Sequence, residues 1–572
     1  MRISKVSAVA MLLVLAAPLP NAASSSEVPE SYRAFPYAQL SGDLDGDGHP
    51  DTLSFGRTPP DQEIDDIGTI GGHDGVVTAR SGRDGSLLWQ VVGAETSSVL
   101  PAPVGPQGQA GALLVDGPRV RADGGSSIEG GGPPDVSSWP AVAADSLTLS
   151  ALSGSGSTVW SRTLDPGAGA GLGAGFEQEA GQRVQAAAVA GVPMYVGTLQ
   201  ATPSPALDVL VMVADRIDAS VAQVTRVRAL VVDGATGAVT SPAERITTTR
   251  TTLRVAGDAD GDGLDDIAFL RMPTQGGVSV VSGADGNTVW EQDADLLPGF
   301  GYFAEPLQDV TGDGRAELVT GGIDHMWEND EGQSAVLDGA TGEVLVSGPL
   351  AAYTPAGDVD GDGAAEVLSQ QVTQTPAPSL YADEVVYRLY SLDGSTLAER
   401  VYDGPTDDGM WLSLFPSAGD LDEDDGIADA AHEMVWDDDG QRRFTSVAVN
   451  GRTLEPQFEA TAGIPLEASL DGRGDDLALV RLAGPGTVEV TAQDGITGEA
   501  LWTTQVAADP RATSLLWPDL QATDLDGDDV PDVILNARLS WSEPTTGGSA
   551  GHSQTQVWAL SGADGSLLWK VA

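Results

Sequence analysis

Short apolar runs that alternate with polar positions recur from residue 39 to the end of the chain, separated by Asp-Gly, Asn-Gly and Gly-rich text. In "GVSVVSGADGNTVWEQ", residues 277–292, a period of two leads into a turn and out into a second run. That pattern predicts two antiparallel strands joined by a tight hairpin, because successive strand side chains point to opposite faces and Gly supplies positive φ. The hairpin phrase returns as "SGRDGSLLWQ" at 81, "LSGSGSTVWS" at 152, "VDGATGAVTS" at 232 and "SGADGNTVWE" at 282. It continues as "LDGATGEVLV" at 337, "LDGSTLAERV" at 392, "VNGRTLEPQF" at 449, "QDGITGEALW" at 493 and "SGADGSLLWK" at 561. No segment beyond the N-terminal apolar run sustains a 3.6-residue period, so the expected class is all-β.

Nine copies spaced by roughly 60 residues describe a repeat array, and about four strands per unit describe a β-propeller. The units fall near 39–92, 96–164, 182–241, 253–292, 301–347, 353–401, 410–458, 464–505 and 515–571. A blade split between the termini, or a unit that is an insertion, leaves seven to nine blades of four strands. A β-solenoid would use shorter repeats. Units two and three are longer and carry Gly/Pro-rich text ("DGGSSIEGGGPPD", "DPGAGAGLGAG"), which reads as loops.

A second phrase precedes the hairpin in most units. In "GDADGDGLDD" the carboxylates of Asp258, Asp260 and Asp262 can address one centre, Leu264 offers a backbone carbonyl, and Asp266 closes the loop at the ninth place. About six oxygens result, with room for a water, which suits Ca²⁺ better than octahedral Mg²⁺. The same register holds for Asp43, Asp45, Asp47, His49 (carbonyl) and Asp51. It holds for Asp358, Asp360, Asp362, Ala364 (carbonyl) and Glu366, and for Asp524, Asp526, Asp528, Val530 (carbonyl) and Asp532. Asp309, Thr311, Asp313, Arg315 (carbonyl) and Glu317 form a version with one hydroxyl. In "GDLDEDDGIAD", Asp420, Asp422 and Asp424 are followed by a closing acid, Asp429, one residue late. "SLDGRGDDLALV" at 469 is shortened and does not qualify, and units two and three lack the phrase. An EF-hand needs Glu at position twelve and flanking helices; Ser54, Phe269, Thr320, Ser369 and Leu535 stand there instead. The expectation is five to six structural Ca²⁺ sites in β-hairpin loops, since Asp-Gly text that only made turns would not repeat the ninth acid in register.

Charge and composition narrow the partners. The chain has 572 residues, 84 acids, 28 bases and a formal net charge of −56, with Lys5 and Lys570 its only lysines. Such a surface repels nucleic acid and anionic lipid and attracts multivalent cations. Without cysteine there are no disulfides and no thiolate chemistry. "MRISKVSAVAMLLVLAAPLPNAASSSE" sets Arg2 and Lys5 before an apolar run too short to span a bilayer, the pattern of a cleavable secretory signal. The expected organisation is a signal peptide at 1–23, a linker at 24–38 and one propeller at 39–572. The mature protein is expected to be secreted or held at the cell surface, without a membrane span.

The acidic phrase and "FGYFAEPLQDVTGDGRAELVTGG" at 300–322 resemble the FG-GAP and VCBS repeats of integrin α-like propellers. The resemblance covers nearly the whole mature chain, weakly in units two and three. It implies calcium loops between neighbouring strands of a blade, away from the ligand face, and a secreted adhesion or recognition role. The hairpin phrase is similar to the Trp-docking motif of quinoprotein (PQQ-type) propellers, with Trp89, Trp160, Trp290, Trp502 and Trp569 at the Trp place. That likeness implies tryptophans packed between blades. The adjacent cysteines typical of many such dehydrogenases are absent.

For catalysis, His49, His73, His325, His432 and His552 are scattered, and no nucleophile-elbow, zincin or phosphate-loop motif occurs. "GIDHMWEND" at 322 (His325, Trp327) and "YADEVVYRLY" at 381 are the clusters a lyase base would come from. "RGD" at 473 is a tripeptide that Gly- and Asp-rich text produces by chance. The favoured function is a calcium-stabilised module that binds an extracellular glycan or protein. The alternative is a calcium-dependent polysaccharide lyase or hydrolase on the same scaffold.

Overall fold

In a computed structural model, the structure describes residues 38–57, 62–64, 68–70, 75–93, 96–116, 147–164, 192–216, 225–247, 250–272, 277–293, 303–322, 333–349, 351–373, 384–403, 411–415, 419–421, 427–438, 441–458, 464–466, 468–545 and 548–571. These residues form nine four-stranded antiparallel sheets and one short two-stranded ribbon, Gln62–Ile64 with Gly68–Ile70. The chain is a nine-bladed β-propeller. Blades 1 to 9 span 38–93, 96–164, 192–247, 250–293, 303–349, 352–403, 411–458, 464–507 and 514–571.

The sequence pattern explains why each blade forms. In blade 4, Ile267 and Phe269 pack toward blade 3 while Ala268, Leu270, Val278 and Val280 pack toward blade 5, all fully or nearly fully buried. The sheet buries both faces, one against each neighbouring blade, so the core is a series of inter-blade clusters. One joins Leu199, Leu210 and Val227 of blade 3 to Leu253, Ile267 and Phe269 of blade 4. Burial of this kind contributes about 25 cal/mol per Å² of apolar surface, which a lone four-stranded sheet cannot collect on both faces.

The hairpin phrase builds the third and fourth strands. In eight blades the register shifts by one residue just past the turn, as between Val280 and Val281 opposite Trp290 and Thr288, and in blade 3 the shift comes one pair further on, between Ala229 and Val231. The turn needs a left-handed residue, which Gly85, Gly286 and their counterparts supply and Leu454 supplies in blade 7 at φ 57°. The tryptophans leave their own blade: Trp89 Nε1 donates to Gly154 O of blade 2 at 2.6 Å, and Trp160 Nε1 to Gly234 O of blade 3 at 2.8 Å. Trp290 reaches Gly339 O of blade 5 and Trp502 reaches Gly562 O of blade 9, both at 2.7 Å.

Trp569 closes the ring. Its Nε1 donates to Gly82 O of blade 1 at 2.6 Å. On the inner side, Asn536 Oδ1 accepts from Ala38 N and Asn536 Nδ2 donates to Ala38 O, both at 2.9 Å, while Gln521 Oε1 accepts from Leu40 N at 2.8 Å. No described blade is split between the two ends of the chain, so the split-blade option of the sequence reading does not apply. Side chains, not a shared sheet, join the last blade to the first.

Candidate metal centres

The acidic phrase lies in the loop between the first and second strands of blades 1, 4, 5, 6 and 9. Five copies give one hydrogen-bond pattern. The first acid accepts from the fourth and sixth residues: Asp258 from Gly261 N at 2.8 Å and Gly263 N at 2.9 Å, Asp43 from Gly46 N at 2.6 Å and Gly48 N at 2.9 Å. Asp309, Asp358 and Asp524 do the same. The fifth-position carboxylates Asp47, Asp262, Asp313, Asp362 and Asp528 accept from the seventh-residue N–H of His49, Leu264, Arg315, Ala364 and Val530. Backbone donors thus hold carboxylates in place that would otherwise repel one another.

In consequence one oxygen from each of three acids lies within 4.8 Å of the other two. The sets are Asp43, Asp45 and Asp51; Asp258, Asp260 and Asp262; Asp309, Asp313 and Glu317; Asp358, Asp360 and Glu366; and Asp524, Asp526 and Asp532. These acidic clusters could hold a metal ion. Every donor is a hard oxygen, with no thiolate or imidazole in any set, which matches a hard divalent cation.

The ninth acid has a second task. Asp51, Asp266 and Asp532 are fully buried, and Glu317 and Glu366 nearly so. Asp51 Oδ2 accepts from Leu44 N at 2.7 Å inside the loop, while Oδ1 accepts from Gly82 N at 3.0 Å in the hairpin turn of the same blade. Asp266 bridges Ala259 N and Gly283 N, and Asp532 bridges Leu525 N and Gly562 N, in the same way. That turn glycine has no room for a side chain: a Cβ on Gly82 would lie 1.8 Å from Pro50 O, and one on Gly562 1.9 Å from Pro531 O. Gly82 and Gly562 are therefore junctions, each donating to the closing acid of its blade and accepting from the tryptophan of the blade before. Burial pushes Asp51, Asp266, Glu317 and Asp532 up from the ordinary carboxylate range, Asp266 to about 7, with the neighbouring Asp260 carboxylate adding to its shift.

Not every sequence candidate falls among the described residues. In blade 7, Asp429 does occupy the closing place, accepting from Leu421 N at 2.9 Å and Gly451 N at 2.8 Å, but Gln457 Nε2 also donates to it at 3.0 Å. Asp422 and Asp424 lie outside the described residues, as do His73, His325, Trp327 and the segment 1–37. Of "YADEVVYRLY", the described part is a core strand: Tyr387 is fully buried and accepts from Gln370 Nε2 at 2.6 Å, and burial raises its phenol well above 10. Arg473 of the "RGD" tripeptide turns to Asp471 at 3.3 Å and Asp494 at 3.7 Å, and Asp475 N donates to Asp420 O of blade 7.

Two closing acids escaped the sequence reading. Asp208 of blade 3 accepts from Ala201 N at 3.1 Å and Gly234 N at 2.8 Å. Asp476 of blade 8 accepts from Leu470 N at 2.6 Å and Gly495 N at 3.1 Å, and burial raises it to about 6. A search for the closing acid alone, seven residues after the loop's second residue and just before an apolar strand, would have found Asp208. The loops also link around the ring. Asp265 N donates to Gln200 O, Ala316 N to Asp258 O, Ala365 N to Val310 O and Ala428 N to Ala356 O, each reaching the preceding blade.

No protein-family model matches this chain, and no curated protein does. Among solved structures it is similar to the rhamnogalacturonan lyase YesW, at 16% identity over 83% of this chain and 72% of that one, TM-score 0.38. A Bacillus licheniformis rhamnogalacturonan lyase gives 15% identity over the same shares, TM-score 0.38. A quinohemoprotein alcohol dehydrogenase from Pseudomonas putida HK5 gives 11% over 75% and 64%, TM-score 0.25. Likeness of this degree carries no argument about activity.

Proposed function

We propose that this chain is an exported propeller whose loops bind Ca²⁺ and whose ring serves as a recognition module for an extracellular glycan or protein. The observation that supports it most is the fivefold recurrence of one loop, each copy bringing three carboxylate oxygens within 4.8 Å on a shared set of backbone donors. A chance acidic surface would not repeat that arrangement. Calcium would be held by Asp43, Asp45 and Asp51 in blade 1, Asp258, Asp260 and Asp262 in blade 4, Asp309, Asp313 and Glu317 in blade 5, Asp358, Asp360 and Glu366 in blade 6 and Asp524, Asp526 and Asp532 in blade 9, with a chemical role limited to neutralising and tying down each loop. On this reading the repeats belong with the FG-GAP and VCBS type. Export rests on the N-terminal basic and apolar run, and recognition rests on a broad ring of like blades with differing loops.

The test incubates the mature protein with acidic and neutral polysaccharides, in calcium and in EDTA, scoring retention and new chain ends together. Calcium-dependent retention without new ends is the expected result. New ends, above all unsaturated ones, would overturn it in favour of a lyase. Neither retention nor new ends would remove the glycan and leave a protein partner.

A further inference from the structure

Blade 3 carries the nine-residue loop frame without its acids. "QATPSPALD", 200–208, sets Gln200, Thr202 and Ser204 at the first, third and fifth places and Asp208 at the ninth. The internal pattern survives these replacements. Ser204 Oγ accepts from Ala206 N at 3.1 Å, as the fifth-position aspartates accept from their seventh residues, and Asp208 keeps its bridge between loop and turn glycine. What differs is the centre. Gln200 Nε2 points into the loop and donates to Thr202 O at 2.7 Å, Ser204 O at 2.5 Å and Ala206 O at 3.2 Å. Three carbonyl oxygens around one group require a donor there, so the amide nitrogen, not the amide oxygen, faces inward.

We propose that the Gln200 side-chain amide is a built-in substitute for the cation, so that the blade 3 loop is held closed without an ion while the acidic loops need one. This rests on the reading that the acidic loops take cations. Blade 8 also sets a positive group against its acids without an ion: its loop is shortened, and the Arg473 guanidinium lies against Asp471 of the loop and Asp494 of the hairpin turn. Gln200 also ties this ion-free loop to blade 4, because Gln200 N donates to Asp265 Oδ2 at 2.6 Å and Asp265 N to Gln200 O at 2.8 Å. Asp265 adjoins the closing acid Asp266, so the blade 3 loop braces its cation-dependent neighbour.

The experiment compares Gln200→Ala and Gln200→Glu with the wild-type chain, reading Tm and bound calcium in excess calcium and in EDTA. Gln200→Ala is expected to lower Tm by the same amount in both media. Gln200→Glu puts a carboxylate among carbonyls, so it is expected to lose Tm in EDTA, recover it in calcium, and bind one more ion per chain. A Gln200→Ala defect seen only in calcium would mean that the blade 3 loop normally holds an ion, and would overturn the inference. So would a Gln200→Glu protein equal to wild type in EDTA. A wild-type Tm indifferent to calcium would instead overturn the cation reading itself, a result separate from the Gln200→Ala loss.

Discussion

At the scale of single residues, the repeating unit converges on one glycine. In Gly562 the N–H donates to Asp532, the carbonyl accepts from Trp502, and Pro531 O leaves no space for a Cβ. The hairpin phrase made the glycine and the tryptophan visible as a pattern. Only the folded chain shows that the tryptophan belongs to the preceding blade, since nothing in one unit says where its neighbour sits. The bond can be tested at Trp290, which is buried and donates to Gly339 O. Trp290→Phe keeps a ring but leaves that carbonyl unpaired, at a cost of about 1–3 kcal/mol. Tm should fall in calcium and in EDTA alike; an unchanged Tm would show that ring packing alone matters.

At the scale of the loop and its hairpin, the reading from sequence found the five acid-rich copies because their spacing is written in aspartates. It missed Asp208 because Thr202 and Ser204 do not look like ligands, and Asp476 because its loop is one residue shorter. Both keep the closing acid, so that acid binds loop to turn whether or not the loop carries the other acids. Burial makes these acids reluctant to ionise, which gives a pH signature. Asp266 at about 7 and Asp476 at about 6 both lie above the ordinary 3.8, so the folded chain holds their protons more tightly than the unfolded chain does. In EDTA, stability should therefore rise as pH falls through about 7 and then about 6. In excess calcium the trend should reverse, because the ions bind only ionised carboxylates and are released as these protonate. Thermal melts across that range, in both media, check the sign. Parallel curves would mean that ions contribute nothing to the loops.

At the scale of the whole molecule, counting units along the chain located eight blades to within three residues, because each blade is one contiguous repeat, while blade 3, read as 182–241, is described from Val192 to Thr247. Closure was not legible, since the contacts among Trp569, Gly82, Ala38 and Asn536 join residues almost a full chain apart. Trp569→Ala removes one such link at the seam, whereas Trp290→Ala removes an equivalent link inside the ring. The seam has no continuous chain to hold it, so Trp569→Ala should open the first and last blades to protease before the others. Uniform digestion in the two variants would contradict a weak seam. The net charge of −56 also belongs to this scale, since a ring of acids repels itself unless cations are bound.

The most direct test of the central claim is a calcium titration of the mature protein after exhaustive chelation, read as ions bound per chain together with Tm. Ions should bind at the five acidic loops, six if blade 7 also fills, with Tm rising as they do. A chain that binds none of them, or whose Tm is the same with and without calcium, would contradict it.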